Sequence, residues 1–349
     1  MREKRDKIVY IVLIIMGLAV VSSLAFSACV GYLYVKEQDA VQQTLQTQQE
    51  AVVTVNQGYT EEEVETMLEK KEVQVREEMK KKIQELVESS GGSIYMLRYF
   101  FPEKLVFADE GRFLFIPVLD SVEKHPYKSE NFKFLDNKEC IYEENGEVLS
   151  HKGIDVSKYQ GKIEWDKVKA DGVEFAIIRL GIRGYESGKI VLDEYFDRNI
   201  REANEAGVLT GVYFFTQAVN EEEAIEEAQF VIEHLQDYDV TCPVVLDIEK
   251  IEGAKGRANG LTSEERTDVA IAFCETIKEA GYTPMIYGNI KCFGKMLDMT
   301  RLEEYQKWFA FYDEYLYFPY RVDMWQYTEN GSVDGIKGNV DMNIAFHLW

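Results

Sequence analysis

The chain has 349 residues and a formal net charge of −23 at pH 7, and 46% of its residues are hydrophobic. This apolar content is typical of a folded protein, and the length predicts one sizeable core with accessory segments. The negative charge would repel phosphates, which excludes a nucleic-acid partner.

Residues 1–35 have the pattern of a membrane anchor behind a short cytoplasmic tip. Four basic residues in MREKRDK precede an uncharged stretch, residues 8–35, and about 20 apolar residues suffice to cross a bilayer. Positive charge before the span orients the N-terminus to the cytoplasm. We therefore predict a single-pass protein of the cell membrane whose bulk, from residue 36 onward, is extracellular.

Two alternatives remain open for this segment. It could be a cleaved signal peptide, although the apolar run exceeds the roughly 7 to 15 residues of a signal core. It could also direct lipidation, because AFSAC, ending at Cys29, resembles a bacterial lipoprotein cleavage site. Against lipidation, the apolar run continues beyond the cysteine, and Phe26 is an unusual residue three positions before it.

Residues 36–92 predict a helical stalk or linker that ends at the sequence SSGG. Thr60 and Glu63 form a capping-box pattern, and apolar residues follow at helical intervals, at Val64, Leu68, Val75, Met79, Ile83 and Leu86. A stripe this narrow is compatible with a short coiled coil, and equally with a helix that leans on a neighbour. The stalk is therefore predicted to be a spacer, and homodimerisation through it is a further hypothesis.

Residues 93–150 predict a small β-rich segment. Aromatic-rich stretches, such as MLRYFFPEKLVF and GRFLFIPVL, alternate there with turn residues and charged residues. This pattern is typical of short strands or hairpins. The segment contains no recognisable catalytic motif, so we expect it to pack on the region that follows.

Residues 151–349 alternate strand and helix patterns. Runs typical of strands, such as FAIIRL, LTGVYFF and CPVVLDI, alternate with helical stretches, such as NEEEAIEEAQFVIEHLQ, and the last third becomes strand-rich. Such alternation predicts a parallel sheet buried on both faces. Five β/α pairs followed by strands favour an α/β fold, an irregular barrel of the (β/α)5β3 type, whose active site gathers at the C-terminal ends of the strands.

Four acidic residues are predicted to lie at the C-terminal ends of the barrel strands. Asp247 and Glu249 come two positions apart at the end of a strand, so an extended chain points both to the same side. Asp155 ends the first strand, and Asp341 lies near the last. Two carboxylates in a partly desolvated site raise the pKa of one and leave the other ionised, which suits glycosidic bond cleavage. An isolated D-x-E could equally cap a helix or pair with a lysine.

The chain resembles a known enzyme family in several ordered stretches, namely GIDVSKYQGKIEW, AIIRLG, FDRNIREANEAGVLTGVYFF, VVLDIE, PMIYGN and MWQYTENGSVDGIKGNVDMN. They are similar to the family 25 glycoside hydrolases, the cellosyl or Chalaropsis type of lysozyme. The resemblance covers residues 151–349. It implies hydrolysis of the β-1,4 bond between N-acetylmuramic acid and N-acetylglucosamine in peptidoglycan.

The resemblance also implies residue roles. It makes Glu249 the general acid and gives Asp247 the task of orienting the substrate's N-acetyl group, whose carbonyl attacks the anomeric carbon in a substrate-assisted step. Asp155 and Asp341 match two further aspartates of the family. Tyr213 matches an active-site tyrosine, although Phe214 follows it where many members have histidine.

Five residues are candidates for substrate binding: Tyr213, Tyr287, Tyr312 and Trp325 for stacking on sugar faces, and Gln326 for a polar contact. An aromatic residue on a barrel strand can equally belong to the core. The four histidines show no ligand spacing, so no metal site is predicted, and the implied chemistry needs no cofactor. Two other functions remain open, a non-catalytic wall-binding or scaffolding protein and a chitinase-like glycosidase.

Overall fold

The computed structural model describes residues 59–90, 93–135, 137–253 and 255–349. The predicted membrane anchor, residues 8–35, and the cysteine at position 29 lie outside these ranges. Within them, no helix combines the length and the apolar character that crossing a bilayer requires. The chain divides between Ile83 and Gln84 into two units, which we describe separately.

The predicted stalk contains one long helix, α1, Glu61–Ser90. Its capping box is formed, because the backbone N–H of Thr60 donates to Glu63 Oε2 at 2.8 Å and that of Glu63 donates to Thr60 Oγ1 at 3.3 Å. The prediction of a helix here is therefore confirmed. The side chains of its apolar stripe are between 36% and 43% exposed, at Val64, Leu68, Val75, Met79 and Ile83.

Residues 93–150 combine one helix with short antiparallel strands. The elements are α2, Ser93–Phe100, the hairpin of β1, Lys104–Asp109, with β2, Arg112–Pro117, and a three-stranded sheet of β3, Phe132–Phe134, β4, Cys140–Glu144, and β5, Glu147–Val148. The prediction of strand for the start of this segment is wrong. Tyr95 and Arg98, one helical turn apart, bond to Asp313 and Tyr315 of the barrel region, so tertiary contacts favour the helix.

This segment packs on the outside of the barrel region. The ring of Tyr127 stacks on Phe346 with centroids 3.7 Å apart, and Phe132 meets Trp325 edge to face at 5.2 Å. The backbone N–H of Val106 donates to the Tyr317 hydroxyl at 2.9 Å. The accessory segment and the barrel thus share apolar and polar contacts within one unit.

Residues 151–349 form a closed barrel. Its strands are β6, His151–Val156, β7, Phe175–Arg183, β9, Leu209–Phe215, β10, Val244–Asp247, β11, Pro284–Asn289, β12, Gln306–Ala310, β13, Met324–Gly331, and β14, Val340–Ala345, and β8, Ile190–Leu192, adds to the edge of β7. The sheet order is β6-β14-β13-β12-β11-β10-β9-β7-β8, and a further pairing of β6 with β7 closes it. The pairs formed among β6, β7, β9, β10, β11, β12 and β13 are parallel, whereas β14 runs antiparallel to both β13 and β6, and β8 runs antiparallel to β7.

The connecting helices lie between successive parallel strands. They are α3, Trp165–Ala170, α4, Phe196–Glu205, α5, Glu221–Leu235, and α6, Ser263–Glu279. After β11, a π-helical turn, Cys292–Met296, stands where the fifth helix was expected. The α/β barrel predicted from strand and helix alternation is therefore present, with its fifth helical connection shortened.

Side chains alternate between the inside and the outside of the barrel strands. Phe175, Ile177, Val245, Met285 and Trp308 belong to one buried cluster that fills the barrel. The intervening positions belong to a second cluster, which joins the strands to the helices around them. This alternation decides which residues at the strand ends can face the barrel mouth.

Candidate active site

The four predicted acids line one cleft at the mouth of the barrel. Asp155 lies near the end of β6, directly opposite Asp341 in the antiparallel pairing with β14. Asp247 ends β10, and Glu249 follows it by two positions. The cleft has a volume of about 190 Å³, and its other lining residues are Tyr213, Tyr287, Trp308, Tyr312 and Gln326. The expected convergence at the strand ends is therefore observed.

Asp247 has an unusual environment for a carboxylate. The strand places it beside Phe215 of β9 and Tyr287 of β11, and the residue is only 6% exposed. Its Oδ1 atom is buried and accepts no hydrogen bond from the described residues. Buried polar atoms in folded proteins nearly always have a partner. Because Asp247 also lines the cleft, its carboxylate is a candidate acceptor for a donor group of a ligand.

Asp155, in contrast, is held by two amides. Gln326 Nε2 and Asn343 Nδ2 each donate to Asp155 Oδ2 at 2.8 Å. The orientation of the Asn343 amide is fixed in turn, because the indole N–H of Trp308 donates to its Oδ1 at 2.8 Å. Asp155 is thus a fixed part of the cleft wall.

Two tyrosines fix the orientation of Gln326. The hydroxyls of Tyr287 and Tyr312 donate to Gln326 Oε1 at 2.9 and 2.8 Å. Because the amide oxygen accepts both bonds, its NH₂ group must face Asp155. Gln326, predicted to make a polar contact with the substrate, bonds within the protein and joins two aromatic side chains of the cleft to the acidic cluster.

The buried acids shift one another's pKa. Burial raises the pKa of Asp155 well above its usual value, Asp341 and Glu249 add to the rise, and the amide donors Asn343 and Gln326 oppose it. Burial also raises the pKa of Asp247, with contributions from Glu249 and Asp155. Like charges this close favour the neutral form of some members. The cluster therefore holds protons that isolated carboxyls would have lost.

The other two acids are raised as well. Burial raises the pKa of Glu249, Asp341 adds to the rise, and a hydrogen bond with Tyr287 opposes it. Burial and the nearby charge of Glu329 raise the pKa of Asp341 to about 6. A carboxyl that keeps its proton near neutral pH can act as a general acid.

The cation Arg179 acts on the cluster from β7, the strand next to that of Asp155. Arg179, on β7, bonds to Asp193 with its Nη2 atom 2.6 Å from the carboxylate Oδ2. Its charge lowers the pKa of Asp247, against the larger effect of burial. The register also places Arg179 beside Tyr213 on β9, whose own pKa is raised by burial and by Asp155. The positive charge therefore favours Asp247 as a member of the cluster that ionises.

Of the nine residues predicted for the site, Trp325 is the one that the structure places elsewhere. Because Gln326 points into the barrel, its neighbour Trp325 points outward, where it is fully buried. Its indole N–H donates to the backbone oxygen of Phe311 at 2.8 Å, and Phe132 packs on its ring. The prediction that Trp325 stacks on a sugar is therefore corrected, since this side chain belongs to the outer core.

Two residues of the cleft were missed. Trp308 lines it, and Asn343 supports Asp155 from behind. Asn343 follows Asp341 by two positions on β14, which is the same spacing that connects Asp247 with Glu249. This spacing in the sequence indicates that Asn343 faces the same side of the strand as Asp341. Across the described ranges, no three His, Cys, Asp or Glu side chains are arranged to hold a metal ion.

Comparison with known families and proteins agrees with this geometry. The family model described as glycosyl hydrolases family 25 matches residues 154–336. Asp341 lies just beyond the matched range, and its pairing with Asp155 brings it into the cleft.

Two curated proteins match over about 200 residues. The uncharacterized protein YegX of Escherichia coli strain K12 is 30% identical over 202 residues, which cover 55% of this chain and 68% of that protein. Lysozyme M1 of Streptomyces globisporus is 29% identical over 205 residues, which cover 55% of this chain and 66% of the lysozyme.

One solved structure is similar in both sequence and fold. It is the modular autolysin LytC from Streptococcus pneumoniae in complex with a synthetic peptidoglycan ligand, with a TM-score of 0.52 and 26% identity. The match covers 68% of this chain and 55% of LytC, so the chain spans about half the length of that protein.

Proposed function

Because this chain belongs to family 25 of the glycosyl hydrolases, we propose that it hydrolyses the β-1,4 bond between N-acetylmuramic acid and N-acetylglucosamine in peptidoglycan. The similarity to a lysozyme and to an autolysin solved with a peptidoglycan ligand supports this substrate. The single observation that carries the proposal is the cleft in which four carboxyl groups meet at the barrel mouth. We place the chain with the cellosyl-type lysozymes on the motifs that it shares with them.

In the proposed reaction, Glu249 is the general acid. Burial and the charge of Asp341 raise its pKa, so that the carboxyl keeps a proton to donate to the leaving glycosidic oxygen. After the bond breaks, the resulting carboxylate accepts a proton from the water that completes hydrolysis. The same group thus serves in both steps.

Asp247 assists the substrate's own acetamido group. Its unpartnered Oδ1 accepts a hydrogen bond from the N–H of the N-acetyl group, which directs the acetyl carbonyl oxygen to the anomeric carbon. The positive charge of Arg179 favours the ionised form that this bond requires. Asp155 and Asp341 complete the acidic wall of the cleft.

The aromatic residues divide into two groups by exposure. Tyr312 is 49% exposed, so its ring is available to stack on a sugar face at the rim of the cleft. Tyr287 is only 8% exposed and serves mainly to hold Gln326. Tyr213 is partly buried and lies on β9, beside Arg179 of the neighbouring strand β7.

The substitution Glu249→Gln tests the proposal. It removes the proton donor while preserving shape, and loss of a general acid lowers kcat by roughly 10²- to 10⁴-fold. The measurement is the release of reducing ends from purified peptidoglycan, with thermal unfolding as the check on the fold. Glu252→Gln is the matched control, because Glu252 follows on the same loop and its side chain is 73% exposed.

The same assay separates the alternatives. Wild-type activity retained in Glu249→Gln would refute the assignment, and saturable binding without new reducing ends would identify a wall-binding protein. Faster cleavage of chitin oligomers than of peptidoglycan would identify a chitinase-like glycosidase.

For the remainder of the chain, we propose a membrane tether and a stalk. The basic tip and the uncharged residues 8–35 support a single-pass anchor with the barrel outside the cell. The exposed apolar stripe of α1 supports pairing of two stalks in a homodimer. Such a tether would keep the hydrolase near its own envelope.

A further inference from the structure

A second, larger groove reaches the catalytic cleft from the flank of the barrel. Its volume is about 1220 Å³, compared with about 190 Å³ for the cleft. Tyr312 lines both, with its hydroxyl bonded to Gln326 in the cleft and about half of its surface exposed. The two cavities therefore meet at this tyrosine.

The walls of the groove come from two parts of the chain. One wall is barrel, formed by the residues that follow β12 and by the β13–β14 hairpin, and it includes Tyr315, Thr328 and Asn330. The other wall is the tip of the β3–β4 hairpin together with Tyr95 of α2. This second wall lies outside the range 154–336 that matches the family model. The accessory segment thus adds a wall that the family domain does not supply.

The hairpin tip exposes apolar side chains. Phe134 is 39% exposed and Leu135 is 43% exposed. Contiguous exposed apolar surface beside polar groups is typical of a binding site. The amide side chain of Asn137 lies next to them on the same tip.

Four of the six charged side chains that line the groove are bonded to a neighbour, and the other two, Lys138 and Glu314, are exposed. Lys152 Nζ lies 3.1 Å from Glu139 and 3.3 Å from Asp171, and the Tyr95 hydroxyl donates to Asp313 at 2.9 Å. Five aromatic side chains and the amides of Asn137 and Asn330 make up most of the remaining lining. Such a surface suits a polymer of uncharged sugars, whose rings stack on aromatics and whose hydroxyl and acetamido groups bond to amides.

We propose that this groove binds the glycan strand of peptidoglycan where it extends beyond the cleft, so that the β3–β4 hairpin supplies further sugar-binding subsites. The inference rests on the proposed hydrolase function and specifies that its substrate is an extended glycan strand. The stretch of N-acetylated sugars enters at Tyr312 and runs between the hairpin tip and the β13–β14 hairpin. Longer glycans gain contacts there that short ones lack.

The test uses peptide-free oligomers of alternating N-acetylglucosamine and N-acetylmuramic acid in a series of lengths. The wild-type kcat/KM should rise with length beyond the shortest oligomer that is cleaved. Leu135→Glu, which places a charge on the hairpin tip, should lower kcat/KM for the long oligomers by about three- to tenfold. It should leave the shortest cleaved oligomer unaffected.

The matched control is Leu149→Glu. Leu149 belongs to the same accessory segment and is 39% exposed, but it does not line the groove. Lys138→Glu at the hairpin tip is a second variant, which tests the same wall through an exposed side chain if Leu135→Glu unfolds. Thermal unfolding of each variant establishes which of them is folded.

Each outcome decides one point. Equal length dependence in Leu135→Glu and Leu149→Glu would overturn the glycan proposal. A loss confined to peptide-bearing peptidoglycan would assign the groove to the stem peptide instead. If the wild type cleaves neither the oligomers nor purified peptidoglycan, the hydrolase proposal fails, and calorimetric affinities of the same oligomers still decide whether the groove binds sugars, by comparing Leu135→Glu with Leu149→Glu.

Discussion

The pKa of the Glu249 carboxyl is set by neighbours that act in opposite directions. Burial raises it most, Asp341 raises it further, and the hydrogen bond with Tyr287 lowers it. A general acid is active while it holds its proton, so activity falls as pH rises through its pKa. If Glu249 is the general acid, the alkaline limb of the pH profile reports its pKa. Because that pKa is raised, the limb lies at a higher pH than an ordinary glutamate would give.

Two substitutions should move the alkaline limb in opposite directions. Asp341→Asn removes a negative charge that disfavours ionisation of Glu249, so the limb should move to lower pH. Tyr287→Phe removes a hydrogen bond that favours the ionised form, so the limb should move to higher pH. The measurement is kcat/KM against pH for the two variants and the wild type. Shifts of the same sign would show that Glu249 is not the titrating acid.

At the level of single residues, sequence spacing predicted the position of the acidic side chains better than that of the aromatic ones. Asp247 and Glu249 were predicted together because residues two apart on a strand face the same side. The same rule, applied from Gln326, places Trp325 outside the barrel, yet its aromatic character alone suggested sugar stacking. Hydrogen bonds across strands, such as that from Trp308 to Asn343, depend on registers that a single sequence does not reveal.

Among the elements, β6 depends on a residue without a side chain. Gly153 faces the barrel interior beside Phe175 of β7, whose ring is fully buried and lies where a Cβ atom would be. Tightly packed interiors accommodate added atoms poorly. The close approach of the first two barrel strands therefore requires glycine at this position.

Gly153→Ala should lower the free energy of unfolding by roughly 1 to 3 kcal/mol, which is the usual cost of overpacking a core. Chemical denaturation of the purified protein measures the change. The control is Gly260→Ala, because a Cβ atom at position 260 meets nothing within 4 Å. Similar stabilities for both variants would mean that Phe175 moves aside without cost.

The barrel elements were more predictable than those before them. Long periodic stretches predicted the strands and helices from Phe175 to Asn289, apart from β8, with bounds within about four residues. The segment from 93 to 100 was misread because aromatic residues suit strands, whereas its helix is stabilised by contacts with Asp313 and Tyr315 more than 200 residues away. Local pattern carries no information on partners so distant.

For the molecule as a whole, one experiment in membranes tests both the proposed anchor and the proposed pairing of stalks. The full chain should stay in membranes that have been washed with alkaline carbonate. In those membranes, Met79→Cys should form a disulfide-linked dimer on oxidation, and Glu77→Cys should not, because two residues along a helix point to opposite faces. Non-reducing electrophoresis gives the result, with the wild-type chain as background.

Release of the chain by the wash would contradict the anchor. Equal cross-linking at positions 77 and 79, or none at either, would contradict a dimer through the apolar stripe. Cys140, Cys242, Cys274 and Cys292 are buried, so they compete little with an exposed cysteine on α1.

The way the barrel closes also sets when the candidate site is complete. Asp341 and Asn343 both come from β14, which pairs with β6 and follows every other barrel strand in the chain. A nascent polypeptide therefore lacks the fourth acid, and the amide that steadies Asp155, until the remaining strands have left the ribosome. We therefore expect the proposed hydrolase activity to appear only after β14 has joined the barrel, and a chain interrupted before residue 340 to be inactive.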